Sequence, residues 1–361
     1  MTKRAGQPTC SFLFIFVNNL KYFKMKVVKN SIIFLAILFI GFAIFIATRP
    51  SHYDVKRSKI IKAPASVIFN TINEYKTWKE WDPWEEMDTT IVVTYSEKTS
   101  GVDAGYSWIS KQDGPGRMKT IALEENKSIN QKIYFDRRDE SDIYWQFINK
   151  EEGTEVTWGM KGDLGFMGKA YFILTGGADK VYGKMLEDGL NNIDTFVHKQ
   201  MDKYSITDNG VVDYSGGFYI YVSAECSFDD MGAKLDEMLP KVLIYAIQKR
   251  YPRAGAPFTL YHKYDEKNKR VEFSSCIPVR ERVNPEGDIA LAFMEPNKYH
   301  KTTLKGAYKY SEEAWKKAFE FAQKDGVTVP EDGKPFEVYT KGHTDSANPA
   351  DWETEIYLPV E

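Results

Sequence analysis

Gly255-Ala256-Pro257-Phe258-Thr259-Leu260-Tyr261 and Gly333-Lys334-Pro335-Phe336-Glu337-Val338-Tyr339 are two copies of one pattern, G-x-P-F-x-(L/V)-Y. A second match follows each copy: Cys276-Ile277-Pro278-Val279 against Tyr357-Leu358-Pro359-Val360. A helical stretch precedes each. The first opens at Ser227, a plausible N-cap with Asp230 three residues on, and its apolar positions run through Met231, Leu235, Met238, Leu239, Val242 and Ala246. Pro240 predicts a break in it. The second opens at Ser311 and runs through Trp315, Phe319 and Ala322 to a stop at Gly326. Strands over Phe218–Ala224 and Tyr299–Leu304 precede the helices. Each half therefore reads strand–helix–strand–strand. Two such halves predict a pseudo-two-fold α+β domain over 211–361, with both helices on one face of a single sheet.

Successive residues of a strand face opposite sides, so parity sorts these strands into faces. Phe258 and Leu260 share a side, as do Phe336 and Val338. Being apolar, they are expected to meet the helices. Tyr261 and Tyr339 then fall on the helix-free face. Ile356, Leu358 and Val360 share a side in the last strand, which leaves Glu355 and Tyr357 on the other, and Tyr219 and Tyr221 follow the same logic. The expectation is a concave face holding several tyrosines and one acid. Aromatic rings attract cations and a carboxylate among them supplies the counter-charge, so Glu355, Tyr261, Tyr339, Tyr357, Tyr219 and Tyr221 are the candidate ligand-binding residues.

The segments "GAPFTLYHKYDE…CIPV" and "PFEVYTKGH…WETEIYLPV" resemble the GyrI-like effector-binding family, a ligand module attached to some transcription regulators and also found free-standing. The resemblance spans about 210–361. It implies a drug-binding pocket with a glutamate in the "TEIY.PV" strand, which falls here on Glu355. Some free-standing members hydrolyse strained electrophiles with that glutamate, so the resemblance also allows a hydrolase with Glu355 as acid/base.

Upstream, Tyr53–Ile61 alternates as a strand and Ala63-Pro64-Ala65 opens a short helix. Strand-like segments follow at Ile91–Tyr95, Tyr106–Ser110, Arg117–Glu124, Ile129–Phe135, Ile143–Asn149 and Glu155–Lys161. A helix over Asp179–Met201 carries one apolar stripe, from Val181 through Leu186, Leu190 and Val197. This order, with "IKAPASVIFNTINEYKTWKEWDPW" at the start and "GTEVTWGMKGDLGFMGKAYF" near the end, resembles the START-like (SRPBCC, polyketide cyclase-like) superfamily over 52–203. The resemblance implies a helix-grip fold with a hydrophobic cavity between sheet and long helix, and no shared catalytic residues. Trp108, Trp145 and Trp158 are candidate cavity residues. Trp78, Trp81 and Trp84 read as a clasp at its mouth.

Ser31–Ala47, SIIFLAILFIGFAIFIA, is apolar on every face. A helix over Val27–Ala47 is roughly 30 Å long, enough to cross a bilayer core, and 27–48 is the expected transmembrane segment behind a basic segment, 1–26. Residues 1–30 hold six basic and no acidic side chains. The upstream lysines place the N-terminus in the cytoplasm and the following domains outside it. Phe45-Ile46-Ala47 is a poor cleavage site for a signal peptide. Met25, opening "MKVVKN", reads like a natural start. Residues 31–361 hold 42 basic against 51 acidic side chains. An acidic body and the lack of a helix-turn-helix argue against nucleic acid as a partner. The five histidines are scattered and no C-x-x-C occurs, so neither a metal nor another cofactor is expected. Cys226 and Cys276 are expected as free thiols. The reading is a membrane-tethered sensor, carrier or scavenger of small hydrophobic, cationic aromatic molecules. The alternative is a hydrolase or cyclase acting on a hydrophobic or strained substrate.

Overall fold

The computed structural model describes residues 10–84, 88–112, 114–135 and 139–361, with side chains from residue 26 onward except Asp139. It is an α+β protein with two antiparallel sheets. One compact unit runs to Ile60 and includes Asn73–Ile148 and Glu155–Asn191. The other comprises Ile61–Ile72, Asn149–Thr154 and Asn192–Glu361.

The first unit begins with helix α1 (Cys10–Ala47). Within its Lys26–Ala47 stretch an 18-residue window has a mean hydropathy of 2.6 and is 6% buried. The side chains of Ile32–Phe45 are apolar all round and do not pack into a core, as expected of a span or a signal sequence and not of a core helix.

Seven strands follow: β1 (His52–Ile61), β2 (Val92–Tyr95), β3 (Gly105–Ser110), β4 (Gly114–Glu124), β5 (Ser128–Phe135), β6 (Asp139–Lys150) and β7 (Gly153–Asp163). Their order is β1-β7-β6-β5-β4-β3-β2, a meander whose last strand returns beside the first. Helix α2 (Ala65–Asn73) lies between β1 and β2 in sequence. Helix α3 (Phe166–Thr175) was not expected from the sequence, which lacks a capping side chain there: its N-cap is Gly165. Helix α4 (Ala178–Met201) is the expected long one, with Leu186, Leu190, Ile193 and Val197 buried. It crosses the sheet where Gly189 meets the Trp158 ring; a Cβ there would run into the indole.

The second sheet has eight strands: β8 (Ser205–Tyr214), β9 (Gly217–Ser227), β10 (Phe258–Asp265), β11 (Arg270–Val279), β12 (Ala290–Met294), β13 (Asn297–Lys305), β14 (Phe336–Lys341) and β15 (Glu353–Pro359). The order β12-β9-β11-β10-β14-β15-β13-β8 has a pseudo-two-fold between β10 and β14, as the repeat predicts. Helix α5 (Met231–Gln248) packs on β9 and β11, and α6 (Ser311–Lys324) on β13, β15 and β8. Ala314, Ala318 and Ala322 give α6 a flat stripe against Leu304, Ile356 and Leu358.

Three expectations need correction. The helix does not break at Pro240: α5 runs through it, because the ring sits on the exposed side, where water can satisfy the carbonyl that loses its partner. The Ser227 hydroxyl does bond Asp230, but Asp230 is the N-cap. More consequentially, Phe258, Leu260, Phe336 and Val338 do not meet the helices. They form one core with Tyr219, Cys276, Tyr299 and Tyr357 on the helix-free side. Each helix covers the outer strands of its own half, so the central pair β10/β14 faces the gap between the helices and presents the alternate residues there: Thr259, Tyr261, Glu337 and Tyr339. Cys226 and Cys276 are buried and free.

Candidate functional site

In the gap between the helices, Glu337 pairs across the pseudo-axis with Thr259. The repeat makes them equivalents, and likewise Tyr261 and Tyr339. Each tyrosine reaches over the axis to the other half. Tyr261 donates to Glu337 Oε1 at 2.9 Å, and Tyr339 lies 2.8 Å from the Thr259 hydroxyl. Tyr339 also donates to Glu337 Oε1 at 2.6 Å, and Trp315 Nε1 of α6 donates to Oε2 at 3.0 Å. The carboxylate is 4% exposed. Burying an ion without a partner is costly, and three hydrogen bonds offset part of that cost. All three donors are neutral, and among the described residues no cationic side chain forms an ion pair with Glu337.

The surrounding phenols respond to that charge. Burial, then Glu337, pushes Tyr261 and Tyr339 well above the usual tyrosine range. Tyr308, stacked edge-on to Tyr339 with ring centres 5.8 Å apart, is raised by the same two causes. All three remain proton donors at neutral pH. The Ser275 hydroxyl, on the residue paired with Thr259, and the Thr354 hydroxyl, on the residue paired with Tyr339, are buried without hydrogen-bond partners among the described residues. A polar floor with a carboxylate at its centre and rings at its walls can hold a cation.

Glu355 lies on the other face of the sheet, beside Tyr357, as parity predicts. Tyr261 and Tyr339 are not with it, which corrects the grouping of these six residues. Glu355 already has a cation: Lys301 Nζ donates to Oε1 at 2.6 Å, and Tyr357 donates to Oε2 at 2.6 Å. Both charged side chains are mostly buried, 22% and 17% exposed. Tyr219 is buried with Phe258, and Tyr221 packs at the edge of the same core. Tyr214 of β8 meets Phe336 and Tyr357 at steep ring angles, which helps to fill this side with rings.

In the first unit, Trp145 and Trp158 stack with ring centres 4.4 Å apart and are fully buried with Trp81. They plug the space beneath the sheet, and neither lines the aromatic pocket beside it. Trp145 Nε1 donates to Gln131, which donates to Tyr75, whose hydroxyl lies 2.9 Å from Thr120. An aromatic pocket does exist beside this plug. Trp108, Trp78 and Trp84 line it with Tyr75, Tyr106 and Phe135. Its interior free space of about 30 Å³ is room for one or two waters, within an open concavity of about 520 Å³.

Asp208, His300 and Asp325 form the only other cluster of ligating groups, among the described residues, close enough to hold an ion. His300 is fully buried, its Nε2 3.0 Å from Asp325 and 3.4 Å from Asp208. Its Nδ1 has no acceptor. A metal on Nε2 would put the proton on Nδ1 and leave a buried N–H unpaired, whereas donation from Nε2 leaves only a bare lone pair. The cluster reads as a clip between strands β8 and β13 and the end of α6.

Glu337 and Glu355 fall within one recognisable module. Residues 219–361 match the GyrI-like small molecule binding domain. No curated protein matches the chain. Among solved structures, the C-terminal domain of EcmrR is 21% identical, covering 44% of this chain and 98% of that one, with a TM-score of 0.37. EcmrR in its DNA complex is 17% identical over 60% of this chain and 89% of that one, TM-score 0.37. CV1439 from Chromobacterium violaceum is 12% identical over 40% and 96%, TM-score 0.30. Within the GyrI-like segment, the sequence reading had singled out Glu355 and missed Glu337, Trp315 and Thr259. The available signal was the asymmetry of the repeat: one copy carries Glu where the other carries Thr.

Proposed function

We propose that this protein is a membrane-tethered receptor for small hydrophobic cations, and that Glu337 reads their charge. One observation carries the proposal: a buried carboxylate, ringed by the neutral donors Tyr261, Tyr339 and Trp315, with no cation paired to it among the described residues. The match to a small-molecule-binding domain supports a ligand of this size. At 4% exposure the carboxylate is reached by breaking the Trp315 bond and swinging that half-buried ring aside. The candidate span at Lys26–Ala47 supports the tether, with the basic N-terminal segment on the cytoplasmic side. The START-like reading of 52–203 draws support from the order of strand, short helix, meander and long helix, and from the aromatic pocket beneath the sheet.

Calorimetry with benzyltrimethylammonium and its neutral carbon isostere, neopentylbenzene, tests the charge reading. The cation should bind and raise thermal stability by mass action, and Glu337→Gln should abolish the preference for it. Equal binding of both compounds to the wild type removes Glu337 from the role. The hydrolase alternative requires turnover of a strained electrophile. Glu355 is poorly placed for it, since Lys301 and Tyr357 already occupy both its oxygens.

A further inference from the structure

Helix α3 has ten residues, and four large apolar ones point to solvent. Phe166, Met167, Tyr171 and Leu174 are 48%, 76%, 54% and 77% exposed. At 100° per residue they fall, with Ala170, inside a sector of about 140°, so they form one continuous apolar stripe. The opposite side fixes the helix to its unit. Phe172 is buried there, with ring centres 5.4 Å from Tyr53 and 5.8 Å from Tyr182. The stripe cannot roll inward without breaking that packing.

What lies beside α3 identifies what covers it. α3 packs against α1, and Lys169 Nζ donates to the Ala47 carbonyl, the last residue of α1, at 3.3 Å. Leu164 N, just before α3, donates to Ser51 O at 2.6 Å, so the chain leaving α1 is stitched to the chain entering α3. Arg49 stacks over Phe45 at the same level, 3.9 Å from the ring centre. An apolar stripe, two basic side chains and the end of a bilayer-length apolar helix thus share one level. Interfacial helices have this composition, with an apolar face at the acyl boundary and Lys or Arg among the headgroups. We infer that α3 lies in the membrane interface as an in-plane anchor, which holds the first unit against the bilayer where α1 leaves it. This rests on the reading of α1 as a membrane span.

Depth-dependent quenching in the full chain separates the two claims. An NBD probe is placed at Leu174→Cys or Phe39→Cys in a Cys10→Ser background, where Cys226 and Cys276 are buried, and the protein is reconstituted in phosphatidylcholine–phosphatidylglycerol vesicles. Circular dichroism checks that each variant is folded. Doxyl groups near the headgroup should reduce Leu174 emission about twofold, while deep doxyl groups quench Phe39 and aqueous iodide reaches neither. Phe39 quenched by lipid with Leu174 open to iodide overturns the interfacial helix and leaves the span standing. Leu174 shielded from iodide yet unquenched by lipid also overturns it, because a protein surface then covers the stripe. Neither site quenched by lipid means that α1 does not span, and both readings fall.

Discussion

Two glutamates sit on opposite faces of one eight-stranded sheet, both bonded to tyrosine, and they are electrically different. Glu355 on the helix-free side is neutralised by Lys301 and closed over by an aromatic core. Glu337 on the helix side is held by two phenols and an indole, with no cation paired to it among the described residues. A paired carboxylate stabilises its own protein's packing. An unpaired one leaves a charge to be met by something that arrives from outside. The difference teaches that the number of tyrosines around an acid says little about ligand binding; the decisive fact is whether the protein supplies the counter-ion itself.

The largest expected effect breaks or upholds this contrast directly. Glu337→Gln should weaken benzyltrimethylammonium by about 2–5 kcal/mol, as for removal of one partner of a buried charge pair, and leave the neutral isostere nearly unchanged. Glu355→Gln should change neither by calorimetry. Equal losses in the two variants would erase the distinction between the faces.

Tyr261→Phe comes next. It removes one hydrogen bond to a buried charge and should cost about 1.5–3 kcal/mol of stability in urea denaturation, with ligand affinity falling less than in Glu337→Gln. A cost near zero would mean that Tyr261 does not hold Glu337 in solution.

Lys301→Met should destabilise by about 1–2 kcal/mol, between the values for exposed and buried pairs, since both partners keep some solvent contact. It should leave cation binding intact. A gain in cation affinity would show that the helix-free face becomes a second site once its own lysine is gone.

The smallest effect is silent at neutral pH. Burial pushes Tyr219 up to about 12, above its value of about 10 in the unfolded chain. Below pH 10 both states hold the proton and the contribution is fully present. Above it the unfolded chain loses the proton first, so stability falls by about 1.4 kcal/mol per pH unit until the folded group titrates. Tyr219→Phe should flatten that slope between about pH 10 and 12 in denaturation curves. It should not alter Glu337, which faces away from it. An unchanged slope would mean that Tyr219 titrates as if exposed.

Much of the fold was legible in the residues. The strand ends of the first unit fell close to the alternating runs, because a half-buried strand writes its period directly into the sequence. Helix α3 was missed since its stripe faces outward and Gly165 offers no cap, so neither local signal was present. The candidate site was half legible. Parity sorts Glu355 with Tyr357 and sets Tyr261 and Tyr339 opposite Phe258 and Phe336, but the assumption that apolar residues must meet helices exchanged the faces of β10 and β14, and Glu337 was not singled out. The tryptophans Trp145 and Trp158 were recognisable as interior residues, while their stacking into a plug depends on how far apart the two strands hold the rings.

The amino-acid sequence by itself determined a bilayer-length apolar helix, the two strand-rich regions and a duplicated strand–helix–strand–strand unit, because each is a pattern of neighbours along the chain. Only the tertiary structure decided which face of the second sheet the helices leave open, and so which glutamate lacks a cation. Residues that share a face are set by the two-residue period of a strand. What covers that face depends on where α5 and α6 settle across it, and each packs its stripe over the outer strands of its own half. Lys301 reaches Glu355 from a strand 54 residues away in the chain, a contact made through space that no local pattern encodes.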